Sequence, residues 1–568
     1  MIKKAIFFLV IAWCGLFFHI RGIKWGVPDR ERISLVFGDV KTVQDLVEPM
    51  LSTHLEIQEM QIYYGAPYSR AYDTSRSIPV IINGEKKNVP LEIINSMRSY
   101  LLRSYGADEQ AVIASLSKMN PSKLDFNPHF FEYGGTYLYP LASFLKLCAL
   151  FGLVKLEKDM RLYFFQPEEM GKLYAFSRLF GGFLFIFAAF VFFSLCLRIT
   201  RNNTLALMLA LLFISAPGFA IWSHYLKPYT SGVFWVVCSL YFVFRYIEER
   251  TKSSLVLSSI FAGFSMGSLL SYGYVFISVI FSVIFTCSKL KYILKELFIC
   301  FLCFTFSYLI TNPYTILSWE EFISEISYIQ SYWKGSANID NLGYFMLTSL
   351  RYGLGTGIWI IFIFYLFVLF VRADRKVLVI LFSLLPAFIY FGISTGRWVH
   401  YSFIIYPYIF LTIAIGCSKI RRNFSFLIAT IVFIWTFIFC FSYINLFSCE
   451  NTRTLAGRWI NENIPEKTDI GFLEAPSPWR SPPFQYLKYN MFIEGPEYGR
   501  AQYYVVSQYQ WLRGSSLEEM KERFSKYQLL KEFRKDATFL KWKFIQSGSP
   551  PYDWCHPNPI ILIWKKRA

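Results

Sequence analysis

Two acidic sites are the residues of this 568-residue chain best suited to chemistry. Asp108 and Glu109 open a stretch whose apolar residues have helical spacing, so the dipole of that helix favours ionised carboxylates there. Asp29 and Glu31 form the second site, directly after the first apolar run. Acidic residues also commonly begin helices without any further role. The sequence leaves both interpretations open at each site.

Basic and aromatic residues gather where apolar runs end. His224 and Lys227 lie in one short loop, and Arg397, His400 and Tyr401 precede a later run. Such residues at the lipid–water boundary suit a phosphate group, which arginine binds with its planar fork of donors. Anchoring to lipid headgroups is the alternative.

Other kinds of site lack a signal in the sequence. There is no glycine-rich nucleotide loop and no His/Cys/Asp cluster at metal-ligand spacing, so we predict no cofactor and no structural metal; a divalent ion is not excluded. Of the eleven cysteines, only Cys449 and Cys555 lie in a polar region, and whether they pair stays open.

The elements that position these residues are predicted to be membrane helices. Hydrophobic residues make up 54% of the chain and charged residues only 17%, whereas soluble proteins carry about a quarter. About eleven apolar runs approach the length needed to cross a bilayer. They lie at 5–21, 177–197, 204–222, 230–247, 254–271, 274–287, 297–311, 353–371, 377–393, 402–417 and 424–443. The fold class is therefore a polytopic α-helical membrane protein.

The distribution of charge predicts how these helices are oriented. The net charge of +18 comes largely from lysines and arginines in short loops, where they orient helices and do not indicate nucleic acid. The N-terminus is then cytoplasmic, and two long loops, 22–176 and 312–352, are extracytoplasmic. The same rule requires that residues 134–155 do not cross, and we expect an amphipathic helix along the outer face. Residues 1–443 form the membrane domain, and residues 444–568 a small extracytoplasmic domain of mixed helix and strand.

One segment of the first loop has a known counterpart. "DEQAVIASLSKMNPSKLDFNPHFFEYGGTYLYPL" resembles the segment from acidic pair to aromatic helix in the GT-C superfamily of polyprenyl-phosphate-dependent glycosyltransferases. These include protein O-mannosyltransferases and bacterial aminoarabinose transferases. "SAPGFAIWSHYLKPYTSGVFW" and "RWVHYSFIIYPYIF" are similar to later segments of the same superfamily. The C-terminal tail has no such counterpart.

The resemblance implies roles for particular residues. Asp108 is expected to be the catalytic base, with Glu109 beside it, and helices on the outer face are expected to roof the site. The lead-in to that roof contains Asn127, His129, Glu132 and Tyr133. In the superfamily, however, the acidic pair follows the first span at once. That place is taken here by Asp29, which stays the second candidate, and Tyr229 stands where an aspartate is often found.

The resemblance further implies an inverting transfer of a sugar from a polyprenyl-phosphate donor to an extracytoplasmic lipid, glycan or protein. A carboxylate accepts the proton of the acceptor hydroxyl. Lys227, Arg397 and His400, with His224 and Tyr401 nearby, hold the donor phosphate. The expected location is a bacterial inner membrane, with the active site on its periplasmic side. Two alternatives are a transporter or flippase of a lipid-linked substrate and a non-catalytic GT-C-like subunit.

Overall fold

A computed structural model describes residues 2–53, 77–82, 84–333, 338–394, 398–512, 516–540, 542–543 and 550–567. Arg397, one of the predicted phosphate ligands, lies outside these residues. Most of the described chain is α-helical, with a small sheet near the C-terminus. Apolar helices and their intrahelical hydrogen bonds are the arrangement that a lipid environment imposes on a spanning backbone.

The apolar runs form helices that pack side by side. Their bounds are Ile2–His19, Pro167–Thr200, Asn203–Ile214, Pro217–Trp222, Val233–Glu249, Lys252–Ser268, Phe276–Thr286, Leu290–Thr311, Thr356–Val371, Arg375–Ile393, Tyr406–Ser418 and Arg422–Ser448. Shorter turns precede several of them, at Pro228–Ser231, Leu270–Val275, Arg351–Leu354 and Val399–Ser402. Each of the eleven predicted runs is helical over most of its length.

The number of crossings is not settled by these helices. By length and composition, five described helices suit a membrane span, or six if a bent pair counts as one. The bent pair, Asp340–Leu354 and Thr356–Val371, turns through 117° at Gly355, whose φ of +85° disfavours any residue with a side chain. Other apolar helices are shorter or interrupted. For example, Asn203–Ile214 ends shortly before Pro217, where the next helix begins. The chain is an integral membrane protein, while the count of eleven stays a prediction.

The first long loop contains most of the remaining helices. They are Glu31–Val36, Val40–Asp45, Leu91–Leu102, Glu109–Lys118, Gly135–Leu150 and Arg161–Phe165, with an antiparallel hairpin of Ser77–Ile82 and Glu85–Pro90. The helix predicted at 134–155 is therefore present, over Gly135–Leu150. It leaves Leu147, Leu150 and Phe151 exposed, an apolar edge suited to contact with lipid.

The C-terminal region has the predicted mixture of helix and strand. Its five-stranded sheet has the order Asn490–Ile493, Asp469–Phe472, Tyr503–Ser507, Ile561–Lys566, Tyr527–Phe533. The first two pairings are parallel and the last two antiparallel. Flanking helices are Thr452–Asn463, Tyr509–Leu512 and Leu517–Arg523, and a small hairpin joins Thr538–Phe539 to Trp542–Lys543. Cys449 and Cys555 are separate free thiols.

The C-terminal region and the first loop share one hydrophobic core. Buried side chains from Ile33 to Met50 and from Ile93 to Leu101 pack with Ile460, Phe472 and Ile563. Because these contacts bury apolar surface from both parts of the chain, the region from 444 onward is fixed against the first loop. The candidate site lies beside this junction.

Candidate active site

Asp108 lies at the turn that precedes the helix Glu109–Lys118. Its backbone is left-handed, with φ of +62°, and its side chain makes no capping hydrogen bond to the helix. The side chain is 71% exposed, and its Oδ2 lies 3.3 Å from Nζ of Lys227, which is 8% exposed. A left-handed backbone costs a residue with a side chain about 1–3 kcal/mol, and such strain collects at functional sites. The carboxylate is thus directed away from its own helix and towards a distant cation.

Glu109 is fully buried, and its hydrogen bonds fix the segments around Asp108. Its carboxylate accepts two hydrogen bonds from the Arg178 guanidinium, at 2.9 and 2.6 Å, and one from the backbone N–H of Leu226 at 2.5 Å. Ser104 donates a further hydrogen bond. The bond to Leu226 holds the turn that presents Lys227. Glu109 therefore joins the two segments that bring Asp108 and Lys227 together.

The same arginine also fixes the segment that contains Asp29. Arg178 donates to the backbone carbonyls of Ile23 and Trp25, at 2.9 and 2.7 Å. Asp29 itself is exposed, and its Oδ1 accepts from the backbone N–H of Arg32 at 3.3 Å, as at the start of a helix. It lines a cavity of about 480 Å³, together with Glu31 and Glu450.

Glu132 brings a second carboxylate to the site. It is accessible to solvent yet densely surrounded by protein atoms. Desolvation raises its pKa to about 7; Lys227 opposes that rise, and the charges of Asp108 and Glu325 add to it. The charges of Lys227 and Asp108 both act on Glu132, so its carboxylate belongs to the same site.

The segment around Glu132 is held by the helix Trp319–Trp333. Glu325 accepts hydrogen bonds from the backbone N–H groups of Phe131 and Glu132, both at 2.9 Å. Nδ1 of His129 lies 2.9 Å from a carboxylate oxygen of Glu321, and the Asn127 amide donates to Ser318 at 2.9 Å.

Two predicted roof residues, Asn127 and His129, therefore make contacts that fasten the roof. A third, Tyr133, is buried with its ring 6.1 Å from that of Tyr229, and so links the roof to the turn after Lys227.

His400 lies close to the Lys227 turn. Its ring is 3.8 Å from Trp222, 4.3 Å from Tyr229 and 4.3 Å from Tyr401, measured between centroids. Burial lowers the pKa of His400 well below its ordinary value, and the positive charge of Lys227 adds to the effect. The imidazole is therefore neutral at pH 7.

His224 is directed elsewhere. Its two ring nitrogens each lie 2.7 Å from a backbone carbonyl oxygen, of Ala220 and of Arg21, and its ring stacks on Phe447 at 4.2 Å. Burial lowers its pKa to about 4. Of the predicted phosphate ligands, the structure brings Lys227, His400 and Tyr401 together, and His224 is committed to contacts within the fold.

Sequence reasoning missed two contributors. Asp553, near the end of the chain, accepts hydrogen bonds from the Trp222 indole at 3.1 Å and from the Val399 N–H at 2.9 Å. Glu325 holds the Glu132 segment, as described above. Neither residue stands in a recognisable motif, and the tail as a whole has no family resemblance, so no local signal was present. Within the described ranges, no three His, Cys, Asp or Glu residues gather as metal ligands.

Comparison with known proteins gives structural likenesses alone. No protein-family model and no curated protein sequence matches the chain. Two structures of ArnT from Cupriavidus metallidurans are similar at 11% identity, with TM-scores of 0.45 in the apo state and 0.42 bound to undecaprenyl phosphate. Each match covers 81% of this chain and 93% of ArnT.

The archaeal oligosaccharyltransferase AglB from Archaeoglobus fulgidus, in complex with an inhibitory peptide and a dolichol-phosphate, is also similar. The identity is 11% and the TM-score 0.38, over 72% of this chain and 66% of AglB. One of the ArnT structures contains undecaprenyl phosphate, and the AglB structure contains a dolichol-phosphate. At these identities and TM-scores the likeness does not assign an activity, which depends on the residues of the site.

Proposed function

We propose that this chain is a membrane glycosyltransferase that transfers a sugar from a polyprenyl-phosphate donor to an acceptor hydroxyl. The observation that carries the proposal is the contact between Asp108 and Lys227, 119 residues apart in the chain and 3.3 Å apart in space. It places a solvent-accessible proton acceptor beside a largely buried cation, in a wall of aromatic rings. Proton acceptance and phosphate binding are the two tasks that such a transfer requires.

The donor phosphate and Asp108 compete for the same ammonium group. When the phosphate binds Lys227, the Asp108 carboxylate loses its ion pair and becomes free to accept a proton. The acceptor oxygen then attacks the anomeric carbon as Asp108 takes the hydroxyl proton. The bond from that carbon to the phosphate oxygen breaks, and polyprenyl phosphate leaves with the electron pair. A single displacement of this kind inverts the anomeric centre.

Asp108 is the better candidate for the base than Asp29. The backbone N–H of Arg32 already bonds the Asp29 carboxylate, whereas the Asp108 carboxylate makes no capping bond to its own helix. Glu109 is proposed as a positioning residue, because its carboxylate is sealed by Arg178 and Leu226. Lys227 is proposed as the phosphate ligand. Arg397 is proposed as its partner on sequence grounds alone.

The active site is further proposed to face the extracytoplasmic side, where the loops 22–176 and 312–352 and the C-terminal region would lie. A reporter that is active only outside the cytoplasm should work when fused after residue 160, 330 or 450, and fail after residue 200, 250 or 420. Activity after residue 200 but not after 330 would mean that residues 134–155 cross the membrane and do not roof the site.

The activity itself is tested with the purified protein in lipid nanodiscs. A panel of radiolabelled undecaprenyl-phosphate sugars is offered with membrane extract as the source of acceptors, and products are sorted into lipid, glycan and protein. Label should pass to one acceptor class, with release of undecaprenyl phosphate, and Asp108→Asn should abolish the passage. Binding of donors without any transfer across the whole panel would contradict the proposal.

Transport of a lipid-linked substrate is the second candidate. The observation in its favour is the helix pair bent by 117° at Gly355, because transporters bind their substrates at interrupted helices. Transport leaves the bond between sugar and phosphate intact, whereas transfer breaks it. The fate of that bond in the same nanodisc assay, extended to sealed vesicles, therefore separates the two functions.

A further inference from the structure

Asp553 brings a buried carboxylate to the site from the far end of the chain. It lies on the short helix Tyr552–Cys555, shortly before the central strand Ile561–Lys566. The side chain is fully buried, and its Oδ2 accepts hydrogen bonds from the Trp222 indole and the Val399 backbone N–H. Two donors on Oδ2 fix the orientation of the carboxylate. Its other oxygen, Oδ1, is sealed from solvent and has no hydrogen-bond partner among the described residues.

The His400 ring is placed to complete this arrangement. Nδ1 lies 3.5 Å from Oδ2 of Asp553, and within the part of the chain that the structure describes it too is sealed from solvent without a hydrogen-bond partner. Buried polar atoms are rarely left unpaired in folded proteins. A small rotation of the imidazole turns this contact into a hydrogen bond, with Nδ1–H donating to the carboxylate. The ionised form of Asp553 can only accept, so it specifies that Nδ1 carries the proton.

A neutral imidazole with its proton on Nδ1 leaves Nε2 as a bare acceptor. Burial and the nearby charge of Lys227 both hold the pKa of His400 below its ordinary value, in agreement with a neutral ring. Such an acceptor gains nothing from an ionised phosphate, whose oxygens are also acceptors. It pairs instead with a hydroxyl group, which has a hydrogen to donate.

The surroundings of the ring fit the same chemical partner. Trp222, Tyr229 and Tyr401 surround His400 with aromatic faces, within 4.3 Å between centroids. Apolar walls with a few fixed polar groups are typical of small-molecule sites. A sugar presents C–H groups to such walls and hydroxyl groups between them. Tyr229 also follows Lys227 by two residues, which places this aromatic pocket beside the proposed phosphate ligand.

We propose that His400, oriented by Asp553, accepts a hydrogen bond from one hydroxyl group of the donor sugar and so contributes to sugar specificity. The inference rests on the proposed function and changes the expected role of His400 from phosphate ligand to sugar ligand. Asp553 is a positioning residue, because it acts through the imidazole. The C-terminal region thereby completes the donor site.

The first test separates the sugar from the phosphate. The full-length protein in nanodiscs is titrated with undecaprenyl phosphate alone and with undecaprenyl-phosphate glucose, mannose, galactose and 4-amino-arabinose. His400→Phe keeps an aromatic ring but removes the acceptor. It should weaken binding of the preferred sugar donor roughly tenfold, the equivalent of one hydrogen bond, and leave undecaprenyl phosphate unaffected. Equal weakening of both lipids would place His400 on the phosphate and overturn the inference.

The second test uses monodeoxy versions of the preferred donor. The native protein should bind one of them roughly tenfold more weakly than the parent sugar, and His400→Phe should bind the two equally. Trp222, Val399 and Nδ1 of His400 all face Oδ2, so Asp553→Asn keeps an oxygen acceptor for all three and should keep the discrimination. Asp553→Leu removes that acceptor, so nothing holds the proton on Nδ1, and this variant should lose the discrimination. A merely structural role for Asp553 would leave the ratio unchanged.

The matched control is Asp536→Leu, at an aspartate of the same region that pairs with Arg534 and Lys543 on the surface. It should keep the native discrimination. If the native protein does not discriminate among the monodeoxy donors, or if Asp553→Leu discriminates as the native protein does, the inference is wrong. If the native protein binds none of the lipids, undecaprenyl phosphate included, the proposed function itself fails.

Discussion

Asp108 and Asp29 both precede short helices in the first long loop, but their carboxylates are used differently. Asp29 accepts a hydrogen bond from the backbone N–H of Arg32, three residues on, and faces a cavity it shares with Glu31 and Glu450. Asp108 makes no capping bond, and its carboxylate meets Lys227 from a distant turn. The bond of Asp29 to Arg32 lies within one segment of the chain. The contact of Asp108 with Lys227 forms only when two distant segments pack together.

The difference follows from the backbone at each position. A left-handed residue at the helix start turns the Asp108 side chain out of capping geometry, and the buried ion pair of Glu109 with Arg178 holds it there. A carboxylate that satisfies no local N–H group remains available for a substrate. Asp108 and Asp29 thus differ in whether the carboxylate is free of hydrogen bonds to its own helix. Four predictions test this difference.

The largest effect is expected for Asp108→Asn. Asparagine keeps the shape of the side chain but cannot accept the hydroxyl proton, so the turnover number should fall by about 10²–10⁴-fold while donor binding persists. The measurement is transfer of radiolabelled sugar under donor saturation. Asp29→Asn is the comparison, and it should retain most activity because asparagine caps a helix as well as aspartate does. The reverse result would make Asp29 the base.

Glu109→Gln should lower the stability of the folded protein. The substitution leaves the Arg178 guanidinium buried without its counter-charge, which costs about 3–5 kcal/mol in proteins. Thermal unfolding in detergent should show a much lower midpoint and less folded protein. The control is Glu168→Gln, which removes a surface ion pair with Arg30. Such pairs contribute about 0–1 kcal/mol to the free energy of unfolding. Similar midpoints for the two variants would contradict the positioning role of Glu109.

Lys227→Gln should weaken donor binding. Hydrogen bonds to charged groups contribute about 1.5–3 kcal/mol, so the KM for the donor should rise about tenfold to a hundredfold, with a smaller change for the acceptor. Steady-state kinetics with each substrate varied in turn would measure this. The control is Lys155→Gln, an exposed lysine of the first long loop. A KM for the donor that matches the control would remove Lys227 from the phosphate site.

The smallest effect concerns the pH dependence of stability. Because the pKa of Glu132 is raised from 4.5 to about 7 in the folded protein, that state binds the proton more tightly than the unfolded one. The stability that Glu132 contributes to the folded state is fully present below pH 4.5 and is lost as pH rises towards 7. Glu132→Gln should therefore lose less thermal stability over this interval than the native protein. The pKa of Asp553 is also raised to about 7 and acts in the same direction. Glu132→Gln should therefore still lose some stability as pH rises. An unchanged slope would contradict the placement of Glu132 among Lys227, Asp108 and Glu325.

The sequence by itself determined the fold class, the helical runs and the start of the helix after Asp108. These features depend on neighbouring residues: apolar composition makes a segment helical in lipid, and local hydrogen bonds begin or end it. The interfacial helix was predicted from charge alone, since the basic loops fix the parity of the crossings.

The tertiary structure alone decided which side chains meet. Lys227 joins Asp108, Glu325 holds the Glu132 segment, and Asp553 reaches His400 across 153 positions of chain. Sequence patterns express periodicity within one element, but a contact between distant elements depends on how helices pack and on which buried polar atoms need partners. For the same reason the sequence and its resemblance could rank Asp108 before Asp29, but only packing placed a cation beside Asp108.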